Sequence, residues 1–277
     1  MYFNNKNQCV ILIPIYKSFL NEEEICSINQ CQKILGIYDI FFLAPKSIQT
    51  LFYKSHFPDI GFYFFENYYF EDIKNYSKLL ISYEFYKTFN EFEYMLIYQT
   101  DAWVFEDQLA YWCSQSYDYI GAPSVEMNEL GEVVFLQMFN GGFSLRNINS
   151  CLRVLTSFAY ITPPKEIVSI RFKMKQNLFK FLKNIIGFLL DLTIRNNVFY
   201  KFNSFYWHED GFWSNLAPTK FKWFAVPSIH IAAGFAFENE PEYILNINDG
   251  KLPFGCHGWT RYHSEFYMKI INRAESN

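Results

Sequence analysis

Hydrophobic positions along this chain fall into short unbroken runs separated by segments of helical periodicity. The clearest run is residues 94–105, YMLIYQTDAWVF, where apolar positions halt at Gln99-Thr100-Asp101 and then resume with aromatics. An apolar run between helix-like segments reads as a strand buried on both faces of a largely parallel sheet. A carboxylate at its end points into the crevice at the sheet's carboxyl edge, where open α/β sheets bind ligands. Taken alone, Asp101 is equally well explained as a cap for the helix expected near Asp107 or as an Asx-turn.

The other runs build the same architecture. Residues 9–15, CVILIPI, predict a first strand, and Asn21 followed by three glutamates predicts a helix that runs to Leu35 and stops at Gly36. Residues 38–44 and 61–65 read as strands, and 72–90 as one long aromatic-rich helix leading into the 94–105 run. This alternation is that of an α/β sheet with right-handed crossovers. Further on, 107–116 reads as a helix, 117–123 as a short strand entering a turn, and 133–139 as a strand delivering a loop at 140–146, NGGFSLR. Its adjacent glycines permit positive φ and close approach of a ligand, or form an ordinary tight turn. Residues 207–213, WHEDGFW, read as a helix start and 221–227 as a strand. Gly and Pro in 252–262, LPFGCHGWTRY, predict irregular backbone around His257, a residue that is either a ligand or a hydrogen-bonded core histidine.

Composition narrows the class. Half of the 277 residues are hydrophobic and 21% are aromatic, which places the chain among globular proteins with a substantial core. A net charge of -4 argues against a protein that coats nucleic acid. The six cysteines form no CxxC pair, so neither a zinc ribbon nor a disulfide framework is indicated, and reduced thiols fit a cytoplasmic protein. No signal-like N-terminus or run of about 18 apolar residues is present. One segment departs from this composition: residues 163–202 carry eight Lys and Arg against Glu166 and Asp191. On a helical wheel, 172–190 sets Met174, Leu178, Phe181, Leu182, Ile185, Ile186 and Leu189 opposite Lys173, Asn177, Lys180 and Asn184. Such a basic amphipathic helix either lies in the headgroup region of an anionic membrane or packs its apolar face on the domain.

Four polar sites stand out against the aromatic background, and their wording and order (QTDAW, NGGFSLR, HED and PFGCHGW) resemble a glycosyltransferase-like family, formerly a domain of unknown function and a branch of the GT-A type. The resemblance implies a GT-A-like, Rossmann-type α/β fold with a mixed, largely parallel sheet flanked by helices. It implies one domain over 1–277, with a donor half at about 8–125, an acceptor half at about 126–265 and a basic insertion at about 163–202. In a nucleotide-sugar transferase the leaving diphosphate gathers negative charge, which a divalent cation neutralises. By resemblance, Asp101 and His257 are the metal ligands for Mn²⁺ or Mg²⁺, with Gln99 standing where a D-x-D motif has its first carboxylate and Thr100 between them. Pro14, Tyr16 and Lys17 receive the nucleotide base; Asn140, Gly141 and Gly142 line the sugar pocket; Arg146 supports the loop or pairs with phosphate.

Transfer also requires a base for the acceptor hydroxyl. Asp210 is the expected base, with Glu209 orienting a sugar; the alternative is that the pair only favours a helix N-terminus. Trp103, Trp207 and Trp259 either stack on sugars or pack in the core. The expected activity is inverting, metal-dependent transfer from a UDP-sugar, UDP-galactose as the single best guess, to a glycan or lipid-linked acceptor in bacterial surface polysaccharide synthesis at the inner membrane face. A nucleotidyltransferase or phosphodiesterase, or a non-catalytic carbohydrate-binding module, are the other classes compatible with these residues.

Overall fold

The computed structural model describes residues 8–130, 132–157, 164–172, 178–192 and 208–275. Trp207 and the insertion residues Lys173, Met174, Asn177, Arg195 and Lys201 lie outside them.

Strands β1 (Cys9–Pro14), β2 (Asp39–Pro45), β3 (Gly61–Phe65), β4 (Tyr94–Tyr98), β6 (Tyr119–Met127) and β7 (Val133–Asn147) form a six-stranded sheet in the order β3-β2-β1-β4-β7-β6. The first four strands are mutually parallel, and β7 and β6 add to β4 as antiparallel strands. The α/β fold with a mixed sheet expected from sequence is therefore what the chain adopts. Every residue of β1 and β4 is buried, which is why these strands read as continuous apolar runs. A three-stranded sheet of β5 (Ala102–Val104), β9 (Gly255–His257) and β8 (Ala236–Phe237), in that order, sits beyond the carboxyl end of β4.

Helix α1 (Glu22–Leu35) carries a capping box: Asn21 Oδ1 accepts from Glu24 N–H at 2.8 Å and Glu24 Oε2 accepts from Asn21 N–H at 3.0 Å. The chain then runs through α2 (Leu51–His56), α3 (Ile73–Leu80), α4 (Tyr83–Thr88), α5 (Leu109–Ser114), α6 (Ile148–Leu155), α7 (Pro164–Arg171) and α8 (Leu178–Leu192).

Five expectations need correction. Residues 72–90 are two helices, because Ser82 takes an extended backbone and its Oγ accepts from Phe85 N–H, capping α4. The 94–105 run is not one strand: it breaks at a turn closed by Ala102 N–H to Gln99 O at 2.9 Å, and its second half joins the other sheet. Residues 140–146 are not a loop but the end of β7. Residues 221–227 form no strand; the segment meets β6 at Ala225, whose N–H and C=O both bond Asp118, and one residue does not make a ladder. His257 lies in regular structure, as the last residue of β9.

Candidate functional site

Strand ends of the small sheet assemble the first half of the site. Asp101 immediately precedes β5, Glu238 immediately follows β8, and His257 closes β9 between them. The Ala102–His257 and Phe237–Cys256 register brings the three side chains together. His257 Nε2 lies 3.2 Å from Asp101 Oδ1 and 3.1 Å from Gln99 Oε1, while Nδ1 lies 3.0 Å from Glu238 Oε1. Burial opposes charge on His257, but its bonds to Asp101 and Glu238 outweigh this and raise its pKa to about 9. An imidazolium donating from both nitrogens satisfies these acceptors. Burial would likewise raise the Asp101 pKa, yet His257 and Arg261 hold it below the ordinary carboxylate value. Asp101 does not cap α5; that N–H is taken by Asp107, whose Oδ1 accepts from Leu109.

The second half lies across β7. A Cβ on Gly141 would stand 2.1 Å from Glu209 Oε1, and one on Gly142 would stand 2.1 Å from His257 Nε2. Successive strand residues face opposite sides, so β7 passes between Glu209 and His257 and leaves room for both only because it bears no side chain there. Neither glycine has positive φ. What approaches their backbone is the protein's own Glu209 and His257.

Arg146 is completely buried. Its guanidinium donates to Gly141 O at 3.3 Å, Ser144 Oγ at 3.0 Å, Glu209 Oε1 at 3.1 Å and Tyr86 Oη at 3.3 Å. That enclosure places Arg146 beneath the Gly141-Gly142 segment as a support for Glu209. Burial raises the Glu209 pKa and Asp210 adds to this, while Arg146 pulls it back, leaving it at about 7. Asp210 is less enclosed; Oδ1 accepts from Gly211 N–H at 2.6 Å, and burial again raises its pKa. A cavity of about 450 Å³ lies one turn further along, lined by Ser214, Thr219, Phe135, Phe139 and Pro218. Ser214 joins it to the site, because its Oγ donates to Asp210 O.

Lys17 and Thr100 are brought together by Glu24, whose Oε1 lies 2.7 Å from Lys17 Nζ and accepts from Thr100 Oγ1 at 3.1 Å. Pro14 is buried and Tyr16 is 63% exposed. Asn140 Nδ2 donates to Glu238 Oε1 at 2.7 Å, and its Oδ1 accepts from Gly142 N–H. Trp103 and Trp259 are buried against each other, edge to face.

Three residues of the site were not singled out from sequence. Glu238 had no motif around it. Tyr76, half-buried with its hydroxyl enclosed near Gln99 and Glu209, sits within an aromatic-rich helix. Arg261, whose Nε lies 3.0 Å from Asp101 Oδ2, belonged to the quoted 252–262 stretch and was the one with a signal. Among the described residues, no group of three or more His, Cys, Asp or Glu is arranged to hold a metal ion.

No curated protein matches the sequence. Among solved structures, the mannosyltransferase Ktr4p from S. cerevisiae aligns at a TM-score of 0.36 and 15% identity over 45% of this chain and 41% of its own. The chain therefore spans less than half the length of that enzyme. The profile of a family described as "Protein of unknown function (DUF5672)" matches residues 59–257, which takes in the Gln99–Asp101 turn, Asn140–Arg146, Glu209-Asp210 and His257, and the chain belongs to that family.

Proposed function

We propose that the protein is a glycosyltransferase that moves a sugar from a UDP-sugar to a glycan or lipid-linked acceptor. The observation that carries this reading is where buried polar groups go without hydrogen bonds. Among the described residues these atoms are Tyr76 Oη, Asp101 Oδ2, Glu209 Oε2 and Trp259 Nε1, and all four lie in or beside the constellation just described. Buried polar atoms are rarely left unbonded, so their grouping on the two sides of the Gly141-Gly142 segment supports a ligand site there. Two of them, Asp101 Oδ2 and Glu209 Oε2, do sit 3.0 Å from a guanidinium, but as ion pairs without hydrogen-bond alignment.

The donor half supplies positive charge for a diphosphate. Lys17 and Arg261 lie close enough for Arg261 to oppose protonation of Lys17, although the bond to Glu24 dominates and keeps the lysine pKa raised. The Arg261 side chain is 61% exposed, and a guanidinium binds phosphate through charge-assisted, often bidentate, hydrogen bonds. A cation also fits. Neighbouring ligands on an octahedral Mg²⁺ or Mn²⁺ stand about 3 Å apart, which is the spacing of His257 Nε2 to Asp101 Oδ1 and Gln99 Oε1. Asp101 and His257 would hold the ion, with the Gln99 amide oxygen beside them, and Glu238 would orient the imidazole from behind. Bound there, the ion would offset the charge of the departing diphosphate.

Asp210, whose pKa is raised chiefly by burial and also by nearby Glu238, serves as base. As the acceptor oxygen bonds the anomeric carbon from the face opposite the nucleotide, its proton passes to Asp210 and the bond to the diphosphate breaks, releasing UDP with inversion. Oδ1 is held by Gly211 N–H, which leaves Oδ2 for the proton, and a raised pKa strengthens a carboxylate base. Glu209, fixed by Arg146, borders the sugar together with Asn140 and the glycines, and the cavity beyond Ser214 is where the acceptor's remaining bulk fits. Galactose is the first donor sugar to test. In this reading the donor half is about 8–125 and the acceptor half about 126–265. Calorimetric titration of UDP with Mn²⁺ into the wild type and Asp101→Ala tests the donor site: binding to the wild type that is lost in the variant is expected, and equal titrations for both would refute the assignment.

A further inference from the structure

Helix α8 presents two unlike faces. The side holding Asn184, Gly187, Phe188 and Asp191 packs on α7: Asn184 donates to Arg171 O, Asp191 pairs with Arg171, and Phe188 meets Phe172 edge to face. Opposite that side, Leu182, Ile186 and Leu189 are exposed by 52%, 62% and 56% and form one apolar stripe, bordered by exposed Lys183, while Lys180 lies on the α7 side. The helix thus does not bury its apolar stripe on α7.

We propose that α8 seats the protein on an anionic lipid bilayer, with Leu182, Ile186 and Leu189 in the acyl boundary and Lys183 at the headgroups. Charge selects this occupant. Residues 163–202 hold eight basic against two acidic residues in a chain whose net charge is -4, so positive charge is segregated into the segment that carries the exposed stripe. A second copy of the same segment would bring like charges together and be repelled. At 15 residues α8 is too short to cross a bilayer, and no described helix is long and apolar enough to do so. The arrangement is that of a helix lying in the interface plane. The inference does not rest on the proposed activity, because its readout is lipid binding.

Vesicle flotation tests it, comparing phosphatidylcholine vesicles with vesicles that also contain phosphatidylglycerol. The wild type is expected to float with the anionic vesicles, to stay behind with the neutral ones and to be released by salt. Leu182→Glu/Ile186→Glu should reduce the floated fraction by at least about tenfold, since partitioning scales with the apolar area inserted. Lys183→Gln, which leaves the apolar stripe intact, should also lower recovery and guards against misfolding of the first variant. Wild-type protein that ignores anionic vesicles, or variants recovered as fully as the wild type, would overturn the proposal. So would a wild-type dimer in sedimentation that the glutamate variant breaks without any change in flotation.

Discussion

Gly142 is packed against His257 so closely that a Cβ in its place would stand 2.1 Å from the imidazole Nε2. The imidazole can retreat only by giving up its bond to Glu238 and disturbing the packing around its buried ring. Gly142→Ala should therefore displace His257, destabilise the fold by about 1–3 kcal/mol and abolish donor binding. Gly234→Ala is the control: its Cβ would meet nothing nearer than 3.6 Å, so it should be neutral or slightly stabilising in urea unfolding.

Glu209 ties stability to pH. Its pKa rises from 4.5 to about 7 on folding, so between those values the folded chain keeps a proton that the unfolded chain has released. Its contribution is fully present below 4.5 and is lost as pH rises through about 7. The loss is about 3 kcal/mol at most. Glu209→Gln cannot ionise and should remove that slope from unfolding midpoints measured across the window; an unchanged slope would show that another group produces it.

Arg261 reaches the site from an exposed position, and its loss should weaken donor binding without disturbing the fold. Arg261→Ala is expected to raise the donor KM about tenfold, the size of one charge-assisted contact, with kcat and the melting temperature little changed.

Much of this fold was legible because local and tertiary signals agree. The buried central strands read as apolar runs, and the Asn21–Glu24 capping box fixed the start of α1. The errors have local physical causes. Ser82 has cap chemistry that was overlooked within a continuous aromatic pattern. Adjacent glycines suggest backbone freedom, whereas Gly141 and Gly142 serve by leaving sideways room for Glu209 and His257. Asp101, His257, Glu209 and Asp210 stand in recognisable wording, which singles them out but does not reveal that β7 passes between His257 and Glu209. Glu238 is not singled out, because it reaches His257 only through the parallel pairing of a two-residue strand, which periodicity does not reveal.

The central claim is transfer of a sugar from UDP to an acceptor, with Asp210 as base. Incubating the protein with a panel of UDP-sugars, UDP-galactose included, and identifying the nucleotide product tests it most directly. Wild-type protein should release UDP, and Asp210→Asn should release it about 10²–10⁴-fold more slowly while binding the donor as tightly. Release of UMP or sugar phosphate, no UDP from any donor, or an Asp210→Asn variant as fast as the wild type would contradict it.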